Sequence, residues 1–215
     1  MTIVAFLRHG PTTWNESKRL QGMTDVPLSD AGYAQVSAWR VPAEVTAWHW
    51  QCSPLARARD TARLLQGGRD AEAVPALREM SFGDWEGYRL EDLRRQFGAE
   101  MLGNEAQGID LVPPGGESPR QVMERLRPWL AALAQDGRST VAVTHKGVIR
   151  VVLAMATGWD MKGRQPLKLD WQSMHFFRAQ ADGSVVTDRL NVALTGVDLP
   201  SFAGEVPRRG GGEPT

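Results

Sequence analysis

Two hydrophobic periods alternate along this chain. Thr2-Ile3-Val4-Ala5-Phe6 is an apolar, partly β-branched run that predicts a buried strand. Ser29 is placed to cap a helix running to about Trp39, and Thr46–Cys52 predicts a second strand. Ser53-Pro54 looks like an N-cap followed by proline at the first helical position, opening a helix Leu55–Gln66 that Gly67-Gly68 stops. A short strand Ala71–Val74 leads into a loop from Pro75 to Gly87, then a short helix Leu90–Phe97. Gly98–Gly116 has little periodicity and is expected to be a long loop or lid. Ser118-Pro119 opens a helix to about Gln135, which Pro128 should kink by removing the bond to the Glu124 carbonyl. Thr140–Thr144 predicts a buried strand and Val148–Ala156 a helix. Trp171–Arg178 and Ser184–Arg189 predict strands joined at Asp182-Gly183, a hairpin signal. This alternation implies one α/β domain over residues 1–206, with a mainly parallel sheet covered by helices. The Gly-, Pro- and charge-rich tail, Pro207–Thr215, is expected to be disordered.

The polar residues that interrupt this pattern fall at strand ends. The first strand runs into Arg8-His9-Gly10-Pro11, where Gly10 offers a ligand close approach to the backbone and Pro11 stops the strand. The second leads to Ser53-Pro54-Leu55-Ala56-Arg57, the loop after the third carries Glu79, and Thr140–Thr144 runs into His145-Lys146-Gly147. In a parallel sheet the C-terminal ends of the strands share one edge, where ligands bind. Two histidines, two arginines and a glutamate can therefore converge there, a set suited to an anionic substrate. Arg59 falls elsewhere on its helical wheel and is assigned to solvent or structure. His49, between two tryptophans, and His175, on a strand face with Trp171 and Phe177, are assigned to packing or surface. The four histidines show no metal-ligand spacing, so no metal is expected.

Composition narrows the partners. The 215 residues carry 25 Lys plus Arg and 25 Asp plus Glu, which argues against a nucleic-acid footprint or a polybasic membrane anchor. Cys52 is the one cysteine, so no intrachain disulfide can form. The sequence holds neither an apolar run of membrane-spanning length nor a secretory signal pattern. A cytoplasmic protein acting on a small molecule is the expectation; a homodimer is left open.

The motifs resemble those of the histidine phosphatase superfamily, also called the phosphoglycerate mutase-like family. Arg8-His9-Gly10-x-Thr12-x-x-Asn15 is similar to its N-terminal motif, and Ser53-x-Leu55-x-Arg57-Ala58-x-x-Thr61-Ala62 to its second. Leu77-Arg78-Glu79-x-x-Phe82-Gly83-x-Trp85-Glu86-Gly87 resembles the segment holding its acid, Gly115-Gly116-Glu117-Ser118 a stretch common in its phosphatases, and Thr144-His145-x-Gly147-x-Ile149-Arg150 its last motif. The resemblance spans about Ile3 to Arg150. It implies a three-layer α/β/α sandwich around a mixed, mainly parallel sheet.

It also implies phosphoryl transfer without a cofactor, which is mostly positioning plus charge stabilisation. His9 would be the nucleophile, neutral and tautomer-fixed by a hydrogen bond to a backbone carbonyl. Arg8 and Arg57 would clamp phosphoryl oxygens, and a protonated His145 would add a donor. Glu79 would protonate the leaving oxygen and then deprotonate water. Thr12, Asn15, Gln21 and Gly22 match positions lining the phosphate site, with ordinary loop capping as the competing role. Lys146 stands where the pattern usually has glycine; it could charge the pocket mouth or point to solvent. The expected function is hydrolysis of a small phosphomonoester through phospho-His9, with a phosphoglycerate mutase, an α-ribazole phosphatase and an inactive binding module as rivals. Phe82–Gly87 and the short helix after it favour the phosphatase branch. Specificity is expected in the Glu16–Pro27 loop, the Gly98–Gly116 lid and Gln172 and Ser173.

Overall fold

A computed structural model describes residues 2–194. The expected tail and the end of the expected domain lie outside them. Within them six strands form one mixed sheet: β1 (Thr2–Arg8), β2 (His49–Cys52), β3 (Glu72–Ala73), β4 (Thr140–Thr144), β5 (Ser173–Ala179) and β6 (Val185–Ala193). Their order is β3-β2-β4-β1-β5-β6. The first four are mutually parallel, while β5 runs antiparallel to β1 and β6 antiparallel to β5.

Both faces of the sheet are covered, which is why β1 and β4 are apolar at nearly every position. Six α-helices accompany the strands: α1 (Thr13–Glu16), α2 (Asp30–Ala38), α3 (Ala56–Leu65), α4 (Leu90–Glu105), α5 (Pro119–Asp136) and α6 (Lys146–Thr157). Successive side chains on a strand point to opposite faces. Val4 and Phe6 therefore pack with Leu126, Leu130, Val148 and Val152 of α5 and α6. Ala5 and Leu7 pack with Val36, Ala58 and Ala62 of α2 and α3. Full burial of Phe6 or Leu7 contributes about 1.5–3 kcal/mol each. The result is the expected three-layer α/β/α sandwich.

Three local expectations are corrected. Ser53 does not cap α3; the cap residue is Leu55, and Asp25 Oδ1 accepts from the Ala56 amide at 2.8 Å instead. The helix expected to end at Phe97 resumes after Gly98, whose φ of 49° breaks the helical path, and continues to Glu105. The lid is thus partly helical, because Met101 is buried against Trp85 and Leu93 in a small third core. Helix α5 runs through Pro128 to Asp136, as expected. Pro128 and Glu124 are exposed, so water can satisfy the orphaned carbonyl, while Leu126, Leu130 and Leu133 hold the helix to the core. Strand β6 extends past Arg189 to Ala193, where it pairs with Ser173. Among the described residues no helix is long and apolar enough to cross a membrane.

Candidate active site

Sheet register brings the two histidines together. Arg8 pairs with Thr144 across β1 and β4, and the His9 amide donates to the Thr144 carbonyl at 2.9 Å. His9 and His145 therefore leave adjacent strands at the same level, their ring centroids 5.1 Å apart. The Ser53 amide likewise continues the β2–β4 ladder to the Val143 carbonyl. This places Ser53 Oγ 2.8 Å from His145 Nε2. The serine that looked like a helix cap orients a histidine.

His9 is buried, and its Nδ1 lies 2.6 Å from the Gly10 carbonyl. A carbonyl can only accept, so Nδ1 carries the proton and Nε2 holds the free lone pair. Burial first, then the charges of Arg8 and Arg57, push the His9 pKa well below the usual imidazole value, so the ring is neutral at pH 7. The same holds for His145, through burial and then His9, Arg57, Arg8 and Arg125. With no anion in the site, the positive neighbours thus disfavour the proton that the resemblance places on His145 beside a bound anion. Its Nδ1 is buried without a partner.

Arg57 is fully buried in the first turn of α3. Its Nη1 donates to the Thr24 carbonyl at 2.9 Å and its Nη2 to the Gly22 carbonyl at 2.8 Å, while Nε is buried with no partner. Two of five donors are thus used for anchoring, leaving the others for a ligand. The loop supplying these carbonyls is held by Glu86, from the segment that also carries Phe82 and Trp85. Glu86 accepts from the amides of Met23, Thr24 and Phe82 at 2.9, 2.9 and 3.1 Å and from the Thr24 hydroxyl. Gly22, at a φ of 51°, has no room for a Cβ because that carboxylate packs against it.

Glu79 reaches the site from the loop after β3. That loop is tied to the sheet by Thr144, whose hydroxyl donates to the Leu77 carbonyl at 2.7 Å. Glu79 Oε1 accepts from the Met80 amide at 2.9 Å, and Oε2 from the Gly147 amide at 3.1 Å, in the first turn of α6. A Cβ on Gly147 would strike this carboxylate, which explains the glycine in His145-x-Gly147. Arg125 clamps the same loop from behind. It donates to the carbonyls of Ala76, Arg78 and Glu79 and is paired with Glu117. Nothing in the sequence marked Arg125. Burial lowers the pKa of Arg8 and Arg57, while the charge of Glu79 raises both. Arg8, His9, Arg57, Glu79 and His145 thus occupy one electrostatic neighbourhood at the sheet edge.

The outer residues divide. Thr12 caps α1 with Asn15 in a reciprocal box, and its hydroxyl lies 3.0 Å from Gln21 Oε1. These contacts are the capping role; Thr12 and Gln21 are buried beside the site loop. Gly22 contributes its carbonyl to Arg57. Lys146 is exposed, with its ammonium 5.2 Å from the Trp171 ring centroid. Gly10 also has a packing reason: a Cβ there would collide with Val36 of α2. Its amide donates to Thr61 Oγ1 at 3.0 Å, and that hydroxyl donates to the Arg57 carbonyl at 2.7 Å, linking β1 to α3. Of the other histidines, His49 pairs with Glu72 at the surface and His175 is buried in the sheet.

A three-layer α/β fold that gathers two neutral histidines, two arginines and a carboxylate at the C-terminal ends of its parallel strands is built to receive a compact anion. Residues 4–192 match the family described as histidine phosphatase superfamily (branch 1), and the chain belongs to it. It is 29% identical over 202 residues to 2,3-bisphosphoglycerate-dependent phosphoglycerate mutase 2 of Gloeobacter violaceus, covering 86% of this chain and 89% of that one. It is 30% identical over 172 residues to metal-independent phosphoserine phosphatase of Arabidopsis thaliana, covering 76% and 72%. Among solved structures it resembles a mycobacterial glucosyl-3-phosphoglycerate phosphatase in complex with inorganic phosphate, with a TM-score of 0.72 and 27% identity over 90% of this chain and 98% of that one. Mutases and phosphatases thus stand side by side among its relatives.

Proposed function

We propose that the chain is a phosphomonoesterase that hydrolyses a small phosphorylated metabolite through a phosphohistidine on His9. The observation that carries this reading is the bond from His9 Nδ1–H to the Gly10 carbonyl, which leaves Nε2 unprotonated among buried cations. In the first step the Nε2 lone pair attacks phosphorus and the bond from phosphorus to the ester oxygen breaks. Arg8, Arg57 and His145 stabilise the equatorial oxygens. Glu79 hands the leaving oxygen the proton that the second step returns to it. In the second step water attacks phosphorus, its proton passes to the Glu79 carboxylate, and the P–N bond breaks to restore neutral His9. As the dianion binds, it reverses the electrostatics around His145 and favours a proton on its unpartnered Nδ1.

The mutase reading uses the same first step and differs in the fate of the intermediate. A mutase shields the phosphohistidine until a second hydroxyl accepts it. The stretch from Phe82 to Gly87 and the compact connection into α4 support water as the acceptor here. The test mixes the protein with p-nitrophenyl phosphate and, separately, with 3-phosphoglycerate, following released phosphate, 2-phosphoglycerate and the phosphoryl-mass adduct. Phosphate release with a short-lived adduct and no need of 2,3-bisphosphoglycerate is expected. An adduct that outlasts the substrate, together with fast isomerisation, would overturn the phosphatase reading.

A further inference from the structure

Beside Glu79 the structure holds a second space, a cavity of about 620 Å³. Its apolar wall is made by Phe82, Trp85, Leu90, Met101, Leu111 and Met161. Its opposite wall is the start of α6, which presents Lys146 and Arg150. Residues four apart on a helix are neighbours, so two cations sit side by side. Among the described residues Glu79 is the one carboxylate whose charge acts on either, and it is already bonded to the Met80 and Gly147 amides. The two cations rest on indoles instead, Lys146 Nζ 5.2 Å from the Trp171 centroid and Arg150 Cζ 5.3 Å from that of Trp159. The cavity's remaining ion pair is self-contained, since Arg94 grips both oxygens of Glu105. Partial desolvation depresses the pKa of Lys146, which keeps contact with solvent, and burial that of Arg150; for Lys146 the charges of Arg8 and Arg150 add to it. Two neighbouring cations on one helix face, seated on indoles and with no free carboxylate between them among the described residues, are arranged for an anion that arrives from outside.

We propose that this cavity receives the leaving group of the substrate, and that this group has an apolar body carrying a second anion, a carboxylate or a phosphate, that docks between Lys146 and Arg150. The inference rests on the reading of Glu79 as the acid, because the leaving oxygen must lie at that carboxylate. The reacting phosphoryl group would lie on the His9 side of Glu79 and the second anion on the α6 side, with the body against Trp85 and Met101. A cavity of this volume matches a body of drug-like size. A three-carbon acid would leave most of it filled with water and the apolar wall unused. Lys146 is a specificity residue in this account, held in place by Trp171.

The test compares kcat/KM of the full chain on 2-naphthyl phosphate, 6-carboxy-2-naphthyl phosphate and naphthalene-2,6-diyl bisphosphate. The distant substituent leaves the reacting ester almost unchanged, and the two anionic arms separate a carboxylate from a phosphate preference. At least one anionic compound should be favoured over the neutral one by about tenfold or more, as for one charged hydrogen bond. Lys146→Ala and Arg150→Leu should each reduce that ratio about fivefold or more, and Lys146→Arg should keep it. Because the readout is a ratio, a general loss of folded enzyme does not imitate the effect. Turnover of 2-naphthyl phosphate with a ratio near one, or with ratios the variants leave unchanged, would overturn this inference and leave the phosphatase reading standing. No turnover of any of the three would overturn both.

Discussion

The sheet edge and the cavity beside it are built by different means. At the edge, His9, His145 and Ser53 are placed by backbone ladders between neighbouring parallel strands. Their spacing follows from strand register, which a buried, two-sided sheet specifies strongly. The cavity is assembled from a loop, a broken helix and the first turns of α6, held by side-chain contacts such as Arg94 with Glu105. On the proposed reading the register-fixed part would hold the phosphoryl group, and the part held by side chains the rest of the substrate. Glu79 and Gly147 form the seam, with one hydrogen bond joining the two regions.

The largest effect should come from the edge. His9→Ala should lower kcat by on the order of 10⁴-fold or more while keeping the fold, as for loss of a nucleophile elsewhere. Near-normal turnover would remove His9 from the chemistry. At the seam, Glu79→Gln should cost roughly 10²–10⁴-fold for an alkyl ester and distinctly less for p-nitrophenyl phosphate, whose leaving group needs little proton assistance. Equal losses on both esters would take Glu79 out of the acid role. Glu86 and Glu117 are poor replacements, since the first is occupied by the Met23, Thr24 and Phe82 amides and the second by Arg125.

Smaller effects should follow when only the support of the edge is touched. Glu86→Ala strips three backbone amides of their acceptor and frees the loop that anchors Arg57. It should lower stability by about 1–3 kcal/mol and raise KM more than it lowers kcat, read by denaturant titration and steady-state kinetics. The smallest effect is electrostatic. His9 and His145 have folded pKa values below the unfolded value of about 6.5, so below that pH the unfolded chain binds more protons. Their contribution to stability is present above pH 6.5 and is lost as pH falls through 6.5 toward the folded values. Each can add a slope of up to about 1.4 kcal/mol per pH unit there. His145→Asn should flatten the dependence of Tm between pH 6.5 and 5, and an unchanged slope would show that His145 is not held neutral.

Strand ends were legible in the sequence because an apolar run that stops at Arg8-His9 or at Thr144-His145 can place those residues in only one layer. A bond from the His9 ring to a backbone carbonyl was expected from the resemblance, but that the nitrogen is Nδ1 and the carbonyl that of Gly10 came only with the fold. Ser53 was misread because serine before proline is the usual look of a helix cap, and its true partner, His145, is 92 residues away. Arg125 was invisible for the same reason: it meets the carbonyls of Ala76, Arg78 and Glu79 only after α5 docks. The second half of α4 was missed because Gly98 and Gly103 hide a turn whose one strong anchor is the burial of Met101. Long-range polar contacts leave no period in the sequence, and these are what complete the site.

The account turns on His9 Nε2 as the atom that receives the phosphoryl group. The direct measurement is to react the Glu79→Gln variant, in which hydrolysis of the intermediate is slowed, with p-nitrophenyl phosphate, quench at alkaline pH where phosphohistidine survives, and map the adduct by peptide mass spectrometry. The predicted result is a single acid-labile phosphoryl group on the peptide containing His9, formed at the rate of the nitrophenolate burst and absent from His9→Ala. Steady turnover with no adduct, or an adduct on His145 that persists in His9→Ala, would contradict it.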